Sequence, residues 1–240
     1  MKKQVFSLLF VCMAHGLFAQ ETTLNAAFYK VKLTERPALY KAMAEHNAKF
    51  RPAGSPLAIA VYNITGGLHN GEILILSNIG LSFKDRDKAS TSPAGMSDDL
   101  YANVLPHFEA ITDGDVMVYE KNYSSSDFSE RTDKILNTIF TIKEGAGREF
   151  WDIVKKFPKA WEKSGLKIAA YVPITGSSRL VLSQRLPEGW SELDEKNTFS
   201  SDYEAIYGKG SLERDAKLFF SYILSKETMM MSLNRDISSK

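Results

Sequence analysis

The chain has 240 residues, with 30 Lys and Arg against 29 Asp and Glu, four His and one Cys. A formal charge of +1 gives no electrostatic footprint for nucleic acid or an anionic membrane surface. An apolar fraction of 44% with 25% charged residues excludes disordered, collagenous and disulfide-stapled classes, and leaves room for one large domain or two smaller ones.

Met1–Gln20 reads as a secretory signal peptide. Lys2 and Lys3 form a basic start, Val5–Met13 an apolar core too short to span a bilayer, and Leu17-Phe18-Ala19 a cleavage site after Ala19 or Gln20. Cys12 lies inside that apolar run, so it leaves with the peptide and no thiol chemistry remains. Loss of Lys2 and Lys3 leaves 28 basic against 29 acidic residues, a charge of about −1. No later apolar run is long enough to cross a membrane. The expectation is an exported protein, periplasmic or secreted, from a bacterium.

The remaining chain repeats itself. Leu57-Ala58-Ile59-Ala60-Val61-Tyr62-Asn63-Ile64-Thr65-Gly66 returns, with one inserted residue, across Leu166–Gly176, seven of ten positions being identical. Leu24-Asn25 and Phe28 match Leu136-Asn137 and Phe140; Leu74, Leu76 and Ser77 match Leu180, Leu182 and Ser183.

Each half predicts the same elements in the same order. Strands fall at 24–33 and 135–143. A helix follows each, carrying Leu39, Met43 and Phe50 in the first half and Phe150, Ile153, Val154, Phe157 and Trp161 in the second. Pro37 suits a first helical turn, and Gly54 and Gly165 suit positive-φ caps. Strand pairs follow at 57–65 with 72–78 and at 166–174 with 179–185, around Gly- and Ser-rich turns. Pro173 suggests a bulge or an edge. Polar stretches at 82–97 and 187–210 lead to helices at 98–110 and 211–225, capped by Ser97 and Ser211, with Pro106 shortening the first. Last strands fall at 115–122 and 227–234.

The order is therefore β-α-β-β-α-β twice, an α+β pattern of two ferredoxin-like units. The expected divisions are 1–20 signal peptide, 21–122 first unit, 123–133 linker and 134–240 second unit. Each unit leaves one sheet face uncovered, and a tandem copy can cover it. On that element order and duplication, over residues 22–235, the chain resembles the dimeric α/β-barrel superfamily. That group includes antibiotic-biosynthesis-type monooxygenases, NIPSNAP-like proteins and haem-associated chlorite-dismutase-like proteins. The resemblance implies two antiparallel sheets facing each other in one barrel. No family motif accompanies it, so it transfers no catalytic residue.

Chemistry-bearing motifs are few. His46, His69 and His107 lack partners at metal-ligand spacing. His46 reads as a packed residue, His69 as solvated in its turn, and His107, on a predicted helix, as a remote haem-ligand option. Gly145-Ala146-Gly147 reads as a tight turn, not a dinucleotide fingerprint. Lys84–Lys88 reads as a solvated run of alternating sign. Met229-Met230-Met231 cannot converge on one metal from a strand and reads as core. Neither a metal nor a cofactor is expected.

Tyr62 and Tyr171 stand out. On unbulged strands Tyr62 shares a face with Ala58 and Ala60, and Tyr171 shares one with Lys167 and Ala169. The opposite faces, Leu57-Ile59-Val61 and Leu166-Ile168-Ala170, are drier and are assigned to the helices. Both tyrosines then point between the sheets, beside small residues, where a small apolar or aromatic ligand would fit. Three functions remain open at this stage. The leading one is binding of a small molecule or partner without catalysis. The others are a cofactor-independent oxygenase acting in the barrel and a structural role with a packed barrel. No nucleic-acid partner is expected, and oligomeric state and ligand identity are not legible.

Overall fold

In the computed structural model the described residues are 22–88 and 92–239. The signal-peptide reading lies outside them. Eight antiparallel strands close into one barrel: β1 (Thr23–Val31), β2 (Ala60–Gly66), β3 (Ile73–Leu81), β4 (Phe108–Tyr119), β5 (Lys134–Ile142), β6 (Lys167–Pro173), β7 (Arg179–Leu186) and β8 (Ile223–Leu233). The order around the barrel is β1-β3-β2-β8-β5-β7-β6-β4. Each half thus contributes four strands in the sequence fourth-first-third-second. The halves meet where β2 pairs with β8 and β4 with β6.

Period-two alternation sorts the side chains. Leu24, Ala26, Phe28, Ala60, Tyr62, Ile139, Ala169 and Tyr171 turn inward into one core. The alternate residues Ile59, Val61 and Ile73 turn outward under α1 (Arg36–Phe50), which buries Leu39 and Met43 against them. In the second half Ile168, Ala170 and Leu180 turn outward under α4 (Arg148–Val154), α5 (Phe157–Lys163), α6 (Phe199–Tyr207) and α7 (Ser211–Ser221). The assignment of the two faces of each hairpin holds. Met229 and Met231 are buried inward, as a core strand requires.

Several expectations are corrected. The helix expected at 98–110 is irregular and ends early: α3 (Met96–Asp99, following the short α2, Phe83–Lys88) continues as a π-helical stretch at Leu100–Val104 and a 3-10 turn at Leu105–His107, and β4 already begins at Phe108. Pro106 cannot donate the bond that would continue the helix, and pairing of Phe108–Ile111 with Tyr29–Val31 claims the backbone for the sheet. The serine caps are replaced by Gly95 and Gly210, which enter their helices at φ +78° and +75°. Ser211 is instead the first helical residue, its hydroxyl buried without a partner. The single stripe at 150–161 divides into α4 and α5, with Pro158 in the first turn of α5. The 187–210 stretch contains α6, whose fully buried Tyr203 donates to Asp215 at 2.9 Å. The Lys84–Lys88 run is not merely solvated: Arg86 reaches back to Thr23 Oγ1 and Asn25 Oδ1, both at 2.6 Å.

The internal matches also need a shift. Tyr62 pairs with Leu74 and Tyr171 with Val181, so Leu74 corresponds to Val181, not Leu180. Phe28 lies opposite Leu74 and Ile139 opposite Val181, so Phe28 corresponds to Ile139, not Phe140. Two of the three sequence matches are one residue out of register, which on a strand exchanges inside for outside.

Candidate functional site

The interior of an eight-stranded barrel is just wide enough to be filled by side chains or to hold one small ligand. Here the small side chains of Ala26 and Ala60 leave it incompletely filled. A cavity of about 80 Å³ lies between the two sheets. Leu24, Phe28, Leu76, Ile79, Met117, Ile139 and Val181 give it apolar walls. Its size is about half that of the roughly 150 Å³ apolar void that takes up benzene, so a ring enters only if the cover shifts.

Both sequence-derived candidates line this one cavity. Tyr62 is 3% exposed and Tyr171 8%. The Tyr62 hydroxyl reaches the Thr132 carbonyl only at 3.5 Å, a long contact that leaves it available as a donor. Burial raises the Tyr62 pKa to about 12, with Arg131 opposing the rise. Tyr171 is also shifted upward by burial, against the pull of the Arg185 charge and hydrogen bond. Both phenols are therefore neutral donors near neutral pH. Because the folded state favours the protonated Tyr62, the stabilisation is fully present below pH 10, near the unfolded pKa, and is lost as pH rises through about 12. A tyrosinate absorbance titration should show Tyr62 ionising after the exposed tyrosines, together with other buried ones, and a Tyr62→Phe variant should lose one tyrosine from that late ionisation. Ionisation of Tyr62 near 10 would contradict its burial.

Sequence reading missed the remaining polar groups. Ser183 donates to Asn137 Oδ1 at 2.6 Å inside the barrel. Arg185, one turn of the pleat further along β7, is 5% exposed and donates to the carbonyls of Asp127 and Phe128. These positions share the inward face of Val181 on β7 and of Ile135 and Ile139 on β5. They become visible once the register is fixed by Tyr171 opposite Val181.

Those carbonyls belong to residues 120–133, which fold over one end of the barrel. The Ser125 and Ser124 hydroxyls accept from the N–H groups of Ile168 and Ala170 at 3.0 and 2.8 Å, tying the segment to β6. Tyr119 donates to the Ser126 carbonyl at 2.7 Å, and Phe128 sits 5.5 Å from Tyr119 and 6.4 Å from Tyr171, centroid to centroid. Phe128, Glu130 and Arg131 thus roof the cavity. Ala60 and Arg131 also line an adjoining outer groove of about 420 Å³, with Asp133, Arg235 and Ser239.

The opposite end is closed by charge. Arg179 bonds Asp113 Oδ2 at 2.7 Å and Asp115 Oδ2 at 2.5 Å, and Thr175 donates to Asp115 at 3.1 Å. His69 is not solvated: it stacks on Phe28 at 4.4 Å and bonds Glu72 at 2.9 Å. His46 is packed, as expected, against Phe50, and bonds Asp99 at 2.7 Å. His107 bonds Glu35 at 2.9 Å, in a turn and away from the cavity. Among the described residues no group of three or more His, Cys, Asp or Glu could hold a metal ion, and no helix is long and apolar enough to cross a membrane.

No protein-family model matches the chain, and no characterised protein matches it in sequence. Solved structures do match in shape. A candidate monooxygenase from Lactobacillus acidophilus NCFM superposes with a TM-score of 0.54 over 89% of this chain and 94% of that one, at 11% identity. This is the dimeric α/β-barrel fold, carried by a single chain. An anthrone oxidase-like protein shares it at a TM-score of 0.51 and 10% identity, over 90% of this chain and 92% of that one. A candidate chlorite dismutase gives 0.51 and 10%, over 90% and 96%. At these identities the likeness establishes the dimeric α/β barrel and no activity.

Proposed function

We propose that the barrel interior binds one small, mostly apolar molecule that carries an oxygen acceptor. The observation that supports this is the convergence of two neutral tyrosine hydroxyls, Tyr62 and Tyr171, on a single cavity with apolar walls. Apolar contact would supply most of the affinity, and the hydroxyls would set the pose. With Met1–Gln20 as an export signal, binding takes place outside the cytoplasm.

Calorimetric titration with one-ring aromatic ligands tests this reading. Binding is expected, and Tyr62→Phe or Tyr171→Phe should each weaken it by roughly three- to tenfold, the worth of about 1 kcal/mol per lost hydrogen bond. Absence of binding across such a panel would overturn it. A second reading, oxygenation of the bound molecule without a cofactor, draws on the monooxygenase and oxidase-like descriptions of structures sharing the fold. Oxygen uptake on adding an anthrone-type compound would favour that reading; binding without uptake would favour the first.

A further inference from the structure

Arg185 is the unusual group in this cavity. It is buried, yet among the described residues no carboxylate lies within ion-pair distance of it. Its identified acceptors are two backbone carbonyls, of Asp127 and Phe128, and the Tyr171 hydroxyl. A guanidinium has five donors, so these three neutral acceptors leave part of it unused and give it no ion-pair partner. The other charged residues of the lining do not cancel it. Glu130 is turned to Lys167 at 3.5 Å, with its side chain 40% exposed, and Arg131 adds a second positive charge at the roof. Asp127 is exposed and its Oδ1 accepts from Ser129 at 2.7 and 2.9 Å; it feels the Arg185 charge from the solvent side without forming an ion pair with it.

A buried, unpaired cation in apolar surroundings is costly unless something compensates it. A structural clamp for the roof would need only neutral donors to reach two carbonyls. We propose that the compensation comes from the ligand: the barrel takes a small apolar molecule bearing one anionic oxygen group, a carboxylate or phenolate, which pairs with Arg185 between Tyr62 and Tyr171. This rests on the interior-binding reading above and adds the charge of the ligand to it. Two neutral phenols beside a guanidinium form a set of donors with no competing acceptor carboxylate, which suits an oxyanion better than a neutral carbonyl.

Benzoate and benzamide are matched in shape and differ in charge near neutral pH. Titrated into the full chain, benzoate should bind at least tenfold more tightly. Arg185→Gln should bring the two within threefold of each other, whereas Arg185→Lys, and Arg235→Gln in the outer groove, should keep the preference. Circular dichroism of each variant checks that it is folded, and the wild-type comparison stands without any variant. Equal affinities in the wild type would overturn the anion proposal while leaving interior binding intact. Binding of neither would overturn both. A preference abolished by Arg235→Gln and kept by Arg185→Gln would also overturn the proposal, by assigning the charge to the outer groove.

Discussion

Replacing Arg179 with methionine is expected to lower stability by about 3 kcal/mol, the cost of breaking a buried ion pair by removing one partner. For a domain of this size that is a fall in Tm of roughly 6–12 °C. An exposed pair would be worth under about 1 kcal/mol, and burial decides between the two figures. The side chains of Arg179 and Asp115 are 15% and 3% exposed, while that of Asp113 is 34% exposed. The contact joins β4 of the first half to β7 of the second, beside a β4–β6 pairing of only three residues. The pH dependence has a defined sign. Burial is the largest influence on both carboxylates. On Asp115 it wins, raising the pKa, whereas on Asp113 the Arg179 bond and charge outweigh it and hold the pKa low. In the native protein the Asp113 contribution is therefore present above its unfolded pKa of about 4 and fades as pH falls through the lower folded value. Without Arg179 both carboxylates should shift upward, so the variant should regain part of its deficit as pH falls toward about 4. Urea unfolding of both proteins at two pH values checks this. A deficit below about 1 kcal/mol at neutral pH would show that the cluster is effectively solvated.

Gly67→Ala should be at least as damaging, costing about 3 kcal/mol or more. Gly67 has φ +96°, and a Cβ placed on it would lie 2.1 Å from the carbonyl oxygen of Thr228, a backbone atom that no rotamer change can move. The clash falls where the chain leaves β2 beside β8, the other seam between the halves. Gly71 provides the control. It has φ +89°, but a Cβ added there would meet nothing within 4 Å, so Gly71→Ala should lose only about 1 kcal/mol, the cost of the backbone conformation alone. If the two variants unfold at the same urea concentration, the Thr228 contact is not a constraint.

Much of the architecture was legible because strands and hairpins advertise themselves locally. The alternation through Ala60 and Tyr62, and through Ala169 and Tyr171, identifies the inward face without reference to any other strand. The repeat then supplies the partner sheet. The errors arose where a decision depends on contacts distant in sequence. Phe140 resembles Phe28 by neighbouring residues, but its face is set by pairing with β7, and there a one-residue slip cannot be seen from composition. The start of β4 was hidden for the same reason, since pairing with β1 overrides a helical pattern that Pro106 had already weakened. Of the candidate site, the tyrosines were visible by repetition. Asn137 and Ser183 were not, because the sequence matches them to Asn25 and Ser77, one residue out of register, whereas the pairing sets them level with Ala26 and Leu76; Arg185 belongs to no sequence match. Phe128 lay in a stretch whose polar composition gave no sign of packing.

That lack of counterparts has a consequence for any occupant. Two identical subunits around a two-fold axis would present the same groups from both sides, and a ligand could sit in either of two equivalent poses. Here the pairings that align Tyr62 with Tyr171 also align Leu76 with Ser183 and Ala26 with Asn137, while the level of Arg185 falls near Asn78, where β3 leaves its regular path at φ +50°. The fused chain has kept the symmetric frame and made its contents lopsided, oily on one wall and polar on the other. The degeneracy is gone: a guest with a distinct head and tail has one way round to lie.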